Sequence, residues 1–194
     1  MTVALVVLGV LLLVVAGWLV VTYNGFVRLR NLVAESWRQV DVELTRRHEL
    51  VPNLVEVVQG YAAHERSAVD AVNQARADVL RPASGPAEQA AHEAALGRAL
   101  GGLVAVAEAY PALRASEGFV ELQRELAGTE DRIAAARRFS NANVRELSIR
   151  LESFPAGLVG RGLGFVPGVY VELSDPAARQ VPVVDLGGAR GRVG

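Results

Sequence analysis

Thr2–Tyr23 reads TVALVVLGVLLLVVAGWLVVTY, a run without a single charged side chain, and the first charge in the chain is Arg28. A bilayer core about 30 Å thick needs roughly 20 apolar residues in a helix that rises ~1.5 Å per residue. The run meets that length. It exceeds the 7–15-residue apolar core of a cleavable signal peptide, no basic residue precedes it, and it lacks a small-x-small cleavage site. Trp18 and Tyr23 sit toward its C-terminal end, where amphipathic rings favour the headgroup level. The sequence therefore predicts a membrane-spanning helix, with an uncleaved signal peptide as the alternative.

Beyond the span, the chain of 194 residues leaves roughly 170 residues, the size of one ordinary domain. Lys+Arg number 20 and Asp+Glu 21, so the charge balance carries no footprint for nucleic acid. Every one of those 20 cations is arginine, a bias expected of a GC-rich bacterial genome. Cysteine is absent, which excludes disulfides, thiolate metal sites and cysteine nucleophiles. Arg28, Arg30, Arg38, Arg46 and Arg47 all follow the span, and only the α-amino group precedes it. The positive-inside rule then expects the N-terminus outside and the C-terminal domain in the cytoplasm, anchored single-pass in a bacterial cytoplasmic membrane.

The rest of the chain has helical periodicity. Phe26, Leu29, Val33, Trp37, Val40 and Leu44 form one apolar stripe that continues the span. Pro52 predicts a turn, because proline favours the first helical position and pushes Val51 out of the α region. A second helix then carries a coiled-coil-like seam of Leu54, Val58, Tyr61, Glu65, Ala68, Val72, Ala75 and Val79. Arg81-Pro82-Ala83-Ser84-Gly85-Pro86 is a strong loop signal. A third helix over about 87–109 has Leu96, Leu100, Leu103, Ala107 and Tyr110 on one face. Gly97, Gly101 and Gly102 suit places where helix backbones approach closely. After Pro111, a long fourth helix opens near Ser116, carries Phe119, Leu122, Leu126, Ile133, Ala136, Leu147 and Leu151, and stops at Ser153-Phe154-Pro155.

Long helices with short links pack as antiparallel neighbours. The expected class is all-α, an N-terminal transmembrane helix followed by an antiparallel up-and-down four-helix bundle. The expected divisions are an anchor at 1–24, a bundle at 25–155, a glycine-rich apolar strap at 156–186 and a disordered tail at 187–194. In the strap, Leu158, Leu163, Phe165 and Tyr170 supply apolar surface, while glycine spacers oppose a regular element.

Tyr23-Asn24-Gly25-Phe26-Val27-Arg28-Leu29-Arg30-Asn31 after a span resembles the opening of the LemA family. So do Ala34-Glu35-Ser36-Trp37, the stretch Arg46-Arg47-His48-Glu49-Leu50-Val51-Pro52-Asn53-Leu54-Val55, and Gly60-Tyr61-Ala62-Ala63-His64-Glu65. Ser153-Phe154-Pro155, Gly164-Phe165, Tyr170 and Val181-Pro182-Val183-Val184-Asp185 extend the likeness along essentially the whole chain. The closing Gly/Arg-rich tail is where members vary. The resemblance implies a bacterial protein with one N-terminal span and a helical bundle, from a family with no established catalytic activity. Members are commonly encoded beside membrane proteins of envelope stress or proteolysis, and close relatives occur in magnetosome membranes.

No pattern for chemistry emerges. His64-Glu65 and His92-Glu93 lack the second histidine of H-E-x-x-H, and no Glu-x-x-His exists for a di-iron bundle. No G-x-S-x-G occurs, and Gly160-x-Gly162-x-Gly164 follows no strand. No catalytic, metal or cofactor residue is assigned. Asp41, Arg46, Arg47, Glu49, Asn53, Glu56 and Glu65 form the candidate polar network or partner surface around the Pro52 turn. Glu65 on an apolar seam requires a partner. Trp37 and Tyr61 read as core aromatics. The function expected is a non-enzymatic interaction or scaffold module whose partners are the lipid bilayer and another envelope membrane protein. The alternative is a ligand-binding or enzymatic bundle with a pocket under the strap.

Overall fold

The structure, a computed structural model, describes residues 1–62 and 64–171. It comprises six helices: α1 (Thr2–Tyr61), α2 (Arg66–Val79), α3 (Pro86–Glu108), the single turn α4 (Pro111–Arg114), α5 (Glu117–Glu152) and α6 (Ala156–Gly162). The described residues contain no strand, and the all-α class holds.

The helix α1 is uninterrupted from the apolar run into the folded part. The expected break at Pro52 is absent. A proline inside a helix removes one N–H and orphans the carbonyl four residues earlier. That carbonyl belongs to His48, and it accepts a hydrogen bond from Arg76 Nε of α2 at 3.4 Å. Val51 and Leu54 on either side are fully buried, so packing and a substitute donor outweigh the local preference. The break falls instead at residues 62–65, and the expected seam splits between α1 and α2. Tyr61, expected in the core, is half exposed, whereas Val72 and Val79 are buried as their spacing requires.

The other ends match their signals. The loop between α2 and α3 spans 80–85, and α5 starts on Ser116, whose hydroxyl caps Phe119 N at 3.4 Å. In α3, Leu96, Leu100, Leu103 and Ala107 are buried. Gly97, Gly101 and Gly102 face open space, so no close helix approach explains them. The strap does form a regular element at its start, α6, before continuing without regular structure to Val171. Residues 172–186 of the strap and the tail at 187–194 lie outside the described residues.

The helices α1 and α5 lie antiparallel along much of their length: Gly25 meets Arg150, Glu43 meets Arg132, and Arg47 meets Glu130. The second main pairing is α2 with α3. Two hydrophobic clusters result. One gathers Val51, Leu54, Val58, Val72, Leu96, Leu103, Leu113 and Phe119 from five helices. The other, beside the apolar run, consists of Phe26, Leu147, Leu151 and Phe165. Residues 2–21 are all exposed, and α1 is one helix long and apolar enough to cross a membrane.

Candidate functional site

Between the two clusters lies a buried ionic node. Arg47 belongs to the face of α1 that carries Val40, Val51 and Leu54, yet it is only 3% exposed. Its Nη1 donates to Glu130 Oε1 of α5 at 2.7 Å. Its Nη2 donates to the Glu93 carboxylate of α3, and to the Glu93 carbonyl at 3.4 Å. His48 Nε2 sits 2.9 Å from Glu93 Oε1, and Gln89 Nε2 reaches the same oxygen at 3.4 Å. Burial pushes the Glu93 carboxyl up, but the His48 hydrogen bond and the Arg47 charge outweigh it and hold the group below its ordinary range. An ion pair taken out of water stands only when further hydrogen bonds satisfy it, as here. Arg47 Nε alone has no partner among the described residues. The node ties α1, α3 and α5 in one register. Its carboxylate is fully engaged, which suits locking rather than proton transfer.

The strap closes over α1 and α5. Phe165 stacks on Phe26 at 5.1 Å between ring centroids and meets Tyr23 edge-on at 6.0 Å. Gly160 admits that ring: a Cβ there would stand 2.6 Å from Phe26 Cζ. Arg161 Nε and Nη2 donate to the Leu151 carbonyl at 3.2 and 3.0 Å. At the far end Asn141 accepts from Val171 N at 2.8 Å and donates to Val171 O at 3.3 Å, holding the strap as a strand neighbour would. Of the four strap residues singled out from sequence, Phe165 is buried, while Leu158, Leu163 and Tyr170 are exposed.

Under the strap lies a cavity of about 470 Å³, walled by Trp37 and Val40 of α1, Ala90 of α3, Arg137 of α5, and Tyr170 and Val171. Glu93 and Asp41 also border it. Burial pushes the Arg137 guanidinium down from its ordinary value, and Glu130 offsets this in part. Its Nε is buried without a partner among the described residues.

Of the candidate polar network, Arg47 enters the node. Arg46, Glu49, Asn53 and Glu56 face solvent, and Asp41 is exposed at the cavity rim. Glu65 is half buried and accepts from the Tyr110 hydroxyl at 3.1 Å, a bond that raises the phenol's pKa. The node's other members, Glu93, His48 and Glu130, and the strap clamp Asn141 were not singled out from sequence. For Glu93 a signal existed, of the same kind as for Arg47. Arg47 falls on the 3–4 spacing Val40, Leu44, Arg47, Val51, Leu54, and Glu93 on Glu93, Leu96, Leu100, Leu103. Charges on apolar stripes predict each other as partners. Among the described residues, no group of three His, Cys, Asp or Glu side chains could hold a metal ion.

Residues 36–186 match the LemA family. Magnetosome protein MamQ of Magnetospirillum gryphiswaldense is 24% identical over 76% of this chain and 63% of its own length. Magnetosome protein MamQ 2 of Paramagnetospirillum magneticum is 25% identical over 93% of this chain and 75% of its own length. Magnetosome protein MamQ 1 of the same organism matches to the same extent. The chain thus spans somewhat under two thirds of the first of these relatives. With the family match covering most of its length, the chain belongs to the LemA family.

Proposed function

We propose that this protein is a non-enzymatic scaffold, anchored single-pass in a bacterial cytoplasmic membrane, whose helical part docks another envelope membrane protein. The anchor is residues 1–24, the bundle 25–155 and the strap 156–186. In this reading α1, α2, α3 and α5 work as an antiparallel up-and-down bundle. The observation that carries it is the continuity of α1, whose exposed apolar run passes without a break into a helix packed along α5. A rigid rod fixes the height and rotation of a docking surface above a bilayer better than a flexible linker does. The relatives are named as magnetosome proteins, which supports a membrane-associated role.

The arginines after the span support a cytoplasmic folded part by the positive-inside rule. A cytoplasm-specific reporter fused after Gly194 is expected to be active, and activity of a periplasm-specific reporter there reverses the orientation. For the partner, photocrosslinkers at exposed Arg46, Asn53 and Glu56 are expected to capture a discrete membrane protein from intact cells. Captures that are diffuse, or unchanged by Asn53→Arg, contradict docking through this face. The cavity under the strap supports a second reading, a ligand-binding bundle, since its size lies within the ~300–1,000 Å³ of ligand pockets. Copurification of a stoichiometric small molecule that Ala90→Trp abolishes would favour it.

A further inference from the structure

Several of the exposed apolar residues beyond the span fall in the segment that closes α5 and opens the strap. Because α5 runs antiparallel to α1, its C-terminal end points back toward the apolar run. Leu151 packs with Phe26, Phe165 of the strap meets Tyr23, and Phe154 follows two residues past the end of α5. Here α5 ends and α6 packs on α1, with Gly160 against the Phe26 ring. At this level three large apolar side chains face outward: Phe154, 84% exposed, Leu158, 66%, and Leu163, 54%. Water-facing residues of this size at a helix end and on a seven-residue helix cost solubility without adding to either core.

The charges around them are predominantly positive. Residues 24–34 and 150–171 hold Arg28, Arg30, Arg150 and Arg161, against one carboxylate, Glu152. Arg150 and Arg30 lie over the Phe26 and Phe165 rings at 5.4 and 5.6 Å from their centroids. Arg161 is braced on the Leu151 carbonyl. Apolar side chains flanked by cations on aromatic platforms match the boundary between headgroups and acyl chains of an anionic leaflet.

We propose that Phe154, α6 and Leu163 form a collar that inserts into the headgroup–acyl boundary of the membrane crossed by α1, with Arg28, Arg30, Arg150 and Arg161 meeting anionic headgroups. The collar rests on the reading of Thr2–Tyr23 as a span. It gives the protein a second, peripheral membrane contact that fixes the tilt and rotation of α1, because a helix held at two separated points on a bilayer cannot swivel.

The chain has no cysteine, so single cysteines can be labelled without background. Full-length protein carrying a nitroxide at Phe154→Cys, Leu158→Cys or Leu163→Cys is placed in nanodiscs of phosphatidylcholine and phosphatidylglycerol. Electron paramagnetic resonance then reads accessibility to oxygen and to a water-soluble nickel chelate. Leu12→Cys serves as the apolar reference, and Gly101→Cys, in open space on α3, as the aqueous one. The oxygen-to-nickel ratio at all three collar positions is expected to exceed that at Gly101→Cys several-fold and to approach that at Leu12→Cys. Collar labels that read like Gly101→Cys while Leu12→Cys reads apolar overturn the collar and leave the anchor standing. An aqueous reading at Leu12→Cys overturns both.

Discussion

The two hydrophobic clusters are built on different terms. The one far from the apolar run draws mostly aliphatic side chains from five helices. The one beside the apolar run rests on two long helices and a strap, with Phe26 and Phe165 as its substance and arginines over both rings. The first is a core in the ordinary sense, stabilised by area removed from water at ~25 cal/mol per Å². The second is a smaller contact between α1, α5 and the strap, and its four central members are buried. The Arg47–Glu93 node separates them. The far cluster is the larger hydrophobic core, and the near one joins α1, α5 and the strap beside the apolar run.

The largest expected effect comes from breaking that divide. Glu93→Ala leaves buried Arg47 with the half-exposed Glu130 as its remaining carboxylate, and a halved buried pair costs about 3–5 kcal/mol. Replacing both, Arg47→Met with Glu93→Leu, is expected to recover most of the loss in urea titrations. Equal losses in the single and double variants would mean that the node adds nothing beyond packing volume. The pH dependence has a defined sign. Glu93 has a folded pKa below its ordinary 4.5, so its contribution is fully present above that pH and is lost as pH falls through the lowered value. Wild type and Glu93→Ala therefore converge in stability below about pH 4.5.

Next in size is Leu103→Ala in the far cluster, expected to cost about 2–5 kcal/mol in the same titration. Phe165→Ala is expected to act locally instead: hydrogen exchange quickens over residues 157–171 and stays unchanged over Leu96–Ala107. Global destabilisation by Phe165→Ala equal to that of Leu103→Ala would merge the two clusters into one core. Smaller again is Asn141→Ala, which removes the clamp on Val171 and is expected to cost about 1 kcal/mol, seen as faster exchange of the Val171 amide.

Much of this architecture was legible because it is written in spacing. The uncharged run, the 80–85 loop, the Ser116 cap and the apolar faces of α3 and α5 all lie where period and turn chemistry put them. Pro52 misled because the donor that rescues the His48 carbonyl, Arg76, lies 28 residues away and on another helix. The solvent-facing glycines of α3 misled for the opposite reason, since nothing in the chain beside them needs the space. Arg46, Asn53 and Glu56 share the neighbourhood of Arg47 in sequence but point away from it in space, as helical period dictates. The node was half legible, through charges on apolar stripes. Asn141 was not, because a side chain that mimics a strand partner leaves no periodic trace.

The central claim is that the uncharged N-terminal third of α1 spans a membrane and carries the folded part on an unbroken helix. Leu12→Arg with Val15→Arg tests it most directly, since two charges near mid-bilayer cost roughly 2.5–3.5 kcal/mol each on insertion scales. The variant is expected to leave the membrane pellet on alkaline washing while its circular dichroism keeps the helical signature of the folded part. Full retention in the washed pellet would contradict a single spanning anchor.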